Sequence, residues 1–76
     1  MFDKNLFAQR IKDLRLSSKT TQQGLADLLG VTRTQISDLE NGKTTTSIEK
    51  LTVLSEYFNV SLDYLCGRTD KPEVNK

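Results

Sequence analysis

Apolar side chains recur along this chain at helical spacing, and short polar runs interrupt them. Phe7, Ile11 and Leu14 fall at i, i+4 and i+7 with Leu6 alongside, the stripe of an amphipathic helix. That first helix starts with Asp3 or Asn5 as N-cap and runs to about Ser17, with Lys4, Arg10, Lys12 and Asp13 on its solvent face. Ser17-Ser18-Lys19-Thr20 has no apolar residue and reads as a loop. A second helix opens at Thr21 as N-cap, with Gln22 and Gln23 in its first turn. Gly24 is a local fault there, costing about 1 kcal/mol against alanine. Leu25 and Leu29 lie one turn apart on this helix, and the small Ala26 shares their face.

Gly30 is placed to end the second helix in the left-handed region, and Val31 to fill the angle that follows. Thr32-Arg33-Thr34-Gln35 is a capping box, opening a third helix from about Arg33 to about Asn41, with Gly42 just beyond it. Ile36 and Leu39 lie one turn apart and complete one buried seam with Leu25 and Leu29. Two short helices sharing a seam across a tight turn form a helix-turn-helix, a unit that mostly presents its second helix to a DNA groove. The outward face of that helix carries Arg33, Thr34, Ser37 and Asp38, flanked by Gln35, and nothing aliphatic.

The β-branched, polar run Lys43-Thr44-Thr45-Thr46 reads as an extended loop. A fourth helix opens at Thr46 or Ser47, the latter being the better cap if Ile48 begins the core stripe Ile48, Leu51, Leu54, Phe58. Asn59 ends it and Val60 bridges to a last short helix capped by Ser61, with Asp63 in its first turn and Gly67 closing it. Leu62 and Leu65 are expected to face inward. Residues 1–67 thus form one domain, and 68–76 a polar tail expected to fray. Five helices and no strand make an all-α, compact five-helix bundle.

Composition removes several function classes. Seventy-six residues allow one small core, burying roughly 60–65% of the unfolded surface. No apolar run reaches membrane-spanning length, and the start does not read as a signal peptide. A single cysteine, Cys66, excludes an intramolecular disulfide and reads as a small core or half-exposed residue rather than a redox centre. Without histidine, paired cysteines or a phosphate-binding loop, neither an enzyme nor a metal or cofactor site is expected. The chain reads as cytosolic. Eleven basic and ten acidic residues give a net charge of +1, so bulk positive charge cannot drive nucleic-acid binding. A groove-reading unit needs only a local basic rim, for which Lys19, Arg33 and Lys43 border the motif.

Residues 7–67 resemble the phage repressor and Cro class of helix-turn-helix domains, also called the Xre family. The resemblance rests on Arg10-Ile11-Lys12-Asp13-Leu14-Arg15, Thr21-Gln22-Gln23-Gly24-Leu25-Ala26 and Leu29-Gly30-Val31-Thr32. Ile36-Ser37-Asp38-Leu39-Glu40-Asn41-Gly42-Lys43 and Val60-Ser61-Leu62-Asp63-Tyr64-Leu65 complete it. Gly24 stands where the family usually has a longer polar residue, and Thr46 where proline is frequent. The resemblance implies a lambda repressor-like five-helix domain, usually a symmetric dimer on a palindromic operator.

It also implies roles residue by residue. Arg33, Thr34, Ser37 and Asp38 match positions facing the major groove; Gln22 matches a glutamine that holds a phosphate; Gln35 and Lys43 are candidates for further backbone contacts. Arg15 and Glu40 match a partly buried ion pair. An arginine at N1 opposes the helix dipole, which points to an outside anion or base for Arg33. Phosphates repel Asp38, so it either accepts from a cytosine amino group, orients Arg33 or Gln35, or stays a solvated edge charge. Tyr57 and Tyr64 belong to the core or to a dimer seam.

The function expected is a transcriptional repressor that binds double-stranded operator DNA as a homodimer, with no membrane partner and no small-molecule ligand. The same domain serves antitoxins and restriction-modification controllers. A protein-interaction module that has lost DNA binding would instead show apolar residues on the outward face of the third helix.

Overall fold

The computed structural model describes residues 2–73, leaving Met1 and the last three positions of the polar tail outside the described residues. It contains α1 (Lys4–Ser17), α2 (Gln22–Leu29), α3 (Arg33–Glu40), α4 (Ile48–Phe58) and α5 (Leu62–Leu65), with no strand among the described residues. Each helix begins at a side chain that accepts from the backbone three residues on: Asp3, Thr21, Thr32, Ser47 and Ser61. Asp3 rather than Asn5, and Ser47 rather than Thr46, take that place. At Thr32 both halves of the capping box form. Gly30 ends α2 at φ +69°, a left-handed conformation that glycine adopts without steric cost.

Phe7, Ile11, Leu25, Ile36, Leu54 and Leu65 are fully buried, one or two from every helix. Each contributes about 1.5–3 kcal/mol of transfer free energy. Leu14, Leu29, Val31 and Phe58 pack against this core half-buried. α2 packs chiefly on α3, while α1 bridges α3 and α5. The α2–α3 pair is therefore held from behind by α1.

Four expectations need correction. Ile48 is 66% exposed: it sits at the first turn of α4, past the end of the core that Leu51 and Leu54 close. Leu62 is exposed as well, because α5 is only one turn long and turns Leu65, with the half-buried Tyr64, toward the core. Arg10 is buried rather than solvated. Its guanidinium donates to the carbonyls of Tyr64 and Thr69 and to Asp70 Oδ1, and lies 4.0 Å from the Tyr64 ring centroid. Nor do residues 68–72 fray: the Ser61 N–H donates to the Pro72 carbonyl at 2.9 Å, folding this stretch back across α5.

Candidate nucleic-acid interface

The orientation of α3 is fixed at its C-terminal end by a buried ionic network. Arg15 Nε and Nη2 donate to the two Glu40 carboxylate oxygens at 2.6 and 3.1 Å, a bidentate pair joining α1 to the last residue of α3. Both residues are under a tenth exposed. Arg15 Nη1 donates to the Thr20 carbonyl at 3.1 Å, and Gln22 Nε2 donates to Glu40 Oε1 at 3.1 Å. Arg15 thus grips both the end of α3 and the residue entering α2. The link between α1 and α2 is pinned again where Thr20 Oγ1 meets Tyr57 Oη at 2.9 Å. Tyr57 is otherwise exposed, and Tyr64 lies half-buried under Arg10.

At the opposite end of α3, the backbone-capped first turn leaves Arg33, Thr34 and Gln35 exposed, with Ser37 and Asp38 half-buried one turn on. Gln35 Oε1 is occupied, accepting from the Thr32 N–H at 2.9 Å and the Thr32 hydroxyl at 3.3 Å. Ser37 Oγ accepts weakly from Asn41 Nδ2 at 3.4 Å. Among the described residues, no hydrogen bond or ion pair engages the Asp38 carboxylate or the Arg33 guanidinium. Lys43 is exposed just beyond α3, where its N–H donates to the Asp38 carbonyl at 2.9 Å. Lys19 is also exposed, at φ +59° in the α1–α2 link.

Gln22, at the first turn of α2, is half-buried. One of its amide hydrogens is committed to Glu40, and the second remains to donate elsewhere. The first-turn N–H groups of a helix have no intrahelical acceptor, so an anion can lie against them. A groove of about 380 Å³ runs between α3 and the 44–47 segment, lined by Gln35 and Asp38 on one side and by Thr44–Ser47 and Lys50 of α4.

The structure thus brings Arg33, Thr34, Gln35, Ser37 and Asp38 onto one helix, with Lys43 beside it and Gln22 reached through Glu40. The sequence already paired Arg15 with Glu40, as the structure has them, but not Gln22 with Glu40; a third complementary polar group bordering the same apolar seam was the available signal. Lys50 was missed because its place in the groove depends on the path of an irregular loop. Among the described residues no group of His, Cys, Asp or Glu could hold a metal ion, and no helix is long and apolar enough to cross a membrane.

Residues 11–65 match the family model described as Helix-turn-helix. The chain belongs to that family, in its phage repressor-like branch. A regulator of Bacillus subtilis (strain 168) derived from the SPbeta prophage, YonR, is 40% identical over 64 residues, which are 84% of this chain and 59% of that protein. The chain spans about six tenths of the length of such curated relatives. Among solved structures, the P22 c2 repressor in complex with a synthetic operator is 33% identical with a TM-score of 0.77, over 84% of this chain and 97% of that one. The hydroxypropylphosphonic acid epoxidase of S. wedmorenis, 28% identical with a TM-score of 0.74, is similar over 83% of this chain but only 34% of its own. That likeness concerns one third of a larger enzyme.

Proposed function

We propose that this chain is a transcriptional repressor of the cytoplasm, binding a palindromic operator as a homodimer through the DNA major groove. One observation carries the reading. The outward face of α3 is wholly hydrogen-bonding, while the opposite face is locked to α1 and α2 by the Arg15–Glu40–Gln22 network. A helix held rigidly with polar groups outward, Arg33 and Asp38 among them uncommitted, suits base-edge readout, whereas a protein-docking helix would present apolar anchors. The likeness to a repressor crystallised on its operator supports the same reading.

In this mechanism Gln22 and the first-turn N–H groups of α2 hold a phosphate and set the register. Lys43 and the second half of the Gln35 amide add backbone contacts. Thr34, Ser37 and Asp38 line the groove beside Arg33, whose guanidinium bonds O6 and N7 of one guanine per half-site. Val53 and Tyr57, one turn apart and exposed on α4, supply apolar surface for the dimer seam. Repression follows from occupying promoter DNA, with no catalytic step.

Binding-site selection on random duplexes, read beside sedimentation, tests this. The expected result is an enriched palindrome with half-sites roughly 10 base pairs apart or a multiple, bound by two copies. Absence of any enriched sequence refutes DNA readout, and one copy bound to a full site refutes the dimer. Arg33→Ala should cost about 1–3 kcal/mol on the selected site and relax one position per half-site. Arg33→Lys should restore charge without the paired donors.

A further inference from the structure

We propose that Asp38 selects cytosine, making it the residue through which α3 demands an amino group on the base opposite it. The inference rests on the DNA-binding reading above and deepens it. Of the roles open to this carboxylate, orienting Gln35 is removed because the capping box turns the Gln35 oxygen to Thr32 and, among the described residues, no hydrogen bond joins the Gln35 Nε2 to Asp38. Orienting Arg33 is removed because no ion pair joins the two among the described residues. Asp38 is also half-buried on the wall of the 380 Å³ groove between α3 and the 44–47 segment, so it is less fully hydrated than an open edge charge. The carboxylate is an acceptor with no donor among the described residues, on the helix face that the proposed reading turns to the base edges.

Its chemistry then chooses the base. A carboxylate only accepts, so the O6 and N7 of guanine and the O4 of thymine repel it. Adenine offers the N6 amino group, but its N7 lone pair lies beside that group and opposes the second carboxylate oxygen. Cytosine offers the N4 amino group beside a C5–H, so only the paired guanine O6 adjoins it, whereas adenine N6 lies between its own N7 and the paired thymine O4. Lys50, lining the same groove from α4, carries a positive charge that offsets the repulsion between Asp38 and flanking phosphates. Substitution at Asp38 leaves the local backbone intact, because the bond from the Lys43 N–H goes to the Asp38 main-chain carbonyl.

Binding-site selection with the full chain and with Asp38→Asn and Asp38→Ala tests this, with thermal melts confirming that each variant is folded. The wild type should select cytosine at one position per half-site, with any other base there weakening binding by roughly 5–150-fold. Asp38→Asn should move that position towards adenine, whose N6 and N7 match an amide, and Asp38→Ala should leave it degenerate. All other positions should be retained. A wild-type consensus that neither variant alters, or that lacks cytosine at the altered position, overturns the assignment while leaving DNA binding intact. A wild type that selects no sequence overturns the DNA-binding reading, and this inference with it.

Discussion

Removing Arg15 should be among the most damaging single changes to this fold. Arg15→Ala strips both hydrogen bonds from a Glu40 side chain that is 3% exposed, leaving Gln22 Nε2 as its one remaining donor. The Thr20 carbonyl loses its donor as well. Breaking a buried pair from one side costs about 3–5 kcal/mol, because the stranded charge keeps its desolvation penalty without its partner. A domain of 76 residues has roughly 4–11 kcal/mol in total, so the loss is about a quarter or more of its stability. The melting temperature should fall by roughly 12–40 °C. The pair as a whole is worth less than this. Replacing it with Arg15→Met and Glu40→Leu together should restore most of the stability, since both charges leave and water can serve the half-buried Gln22 amide. Urea unfolding followed by far-UV circular dichroism, run as a double-mutant cycle with Arg15→Ala and Glu40→Ala, measures the coupling. A cost below about 1 kcal/mol for Arg15→Ala, with coupling near zero, would refute the reasoning and class the pair with exposed ion pairs.

Further outcomes are expected elsewhere. Gln22→Ala should weaken binding to operator and random duplex by a similar factor, and lower stability by about 1.5–3 kcal/mol through the lost bond to Glu40; a loss confined to operator would make Gln22 a base reader. Gly67→Ala should cost about 2–5 kcal/mol in urea unfolding, because its Cβ would sit 2.8 Å from Asp3 Cβ and its φ is +78°. Gly30→Ala should cost only about 1–2 kcal/mol, having the same handedness but open space around it, and equal costs would show that crowding at Gly67 is irrelevant. Burial first, and then the Asp63 carboxylate, push the Cys66 thiol above its ordinary value, against the pull of Arg68. Thiol modification at mildly alkaline pH should therefore be slower in the folded chain than after unfolding. Because the folded state favours the neutral thiol, its contribution to stability is present below the ordinary thiol value and lost as pH rises beyond it.

What the sequence made legible follows the range of each interaction. Helix starts at Thr21, Thr32 and Ser61 were readable because a cap is a contact over three residues, and those at Asp3 and Ser47 were readable to within two positions. The buried seam of Leu25, Ala26, Ile36 and Leu39 was readable for the same reason, with its turn only a few residues long. Stripe edges were not: Ile48 and Leu62 have the right spacing, and only the position of the core's end decides that they face water. Arg10 was the hardest case. Its partners lie 54 to 60 positions away, and two of them are main-chain carbonyls, which leave no side-chain signature. The membership of the candidate face on α3 could be named from helical geometry. Which of its groups are already spent, as at Gln35 and Gln22, needed coordinates.

The bonds that fold the end of the chain onto its beginning have a consequence for kinetics. Asp3 N–H donates to the Cys66 carbonyl, and Arg10 holds Tyr64, Thr69 and Asp70, so each contact closes a loop of more than fifty residues. Closing about sixty residues rather than ten takes roughly 1.5 kcal/mol more of chain entropy. The α2–α3 pair closes over few residues and can form first; the Arg15–Glu40 bridge, spanning 25 positions, can follow, and the end-to-end contacts come last. Contacts made after the barrier leave the folding rate almost untouched and act on unfolding instead. Arg10 therefore governs how long the assembled reading head persists, not how quickly it is made.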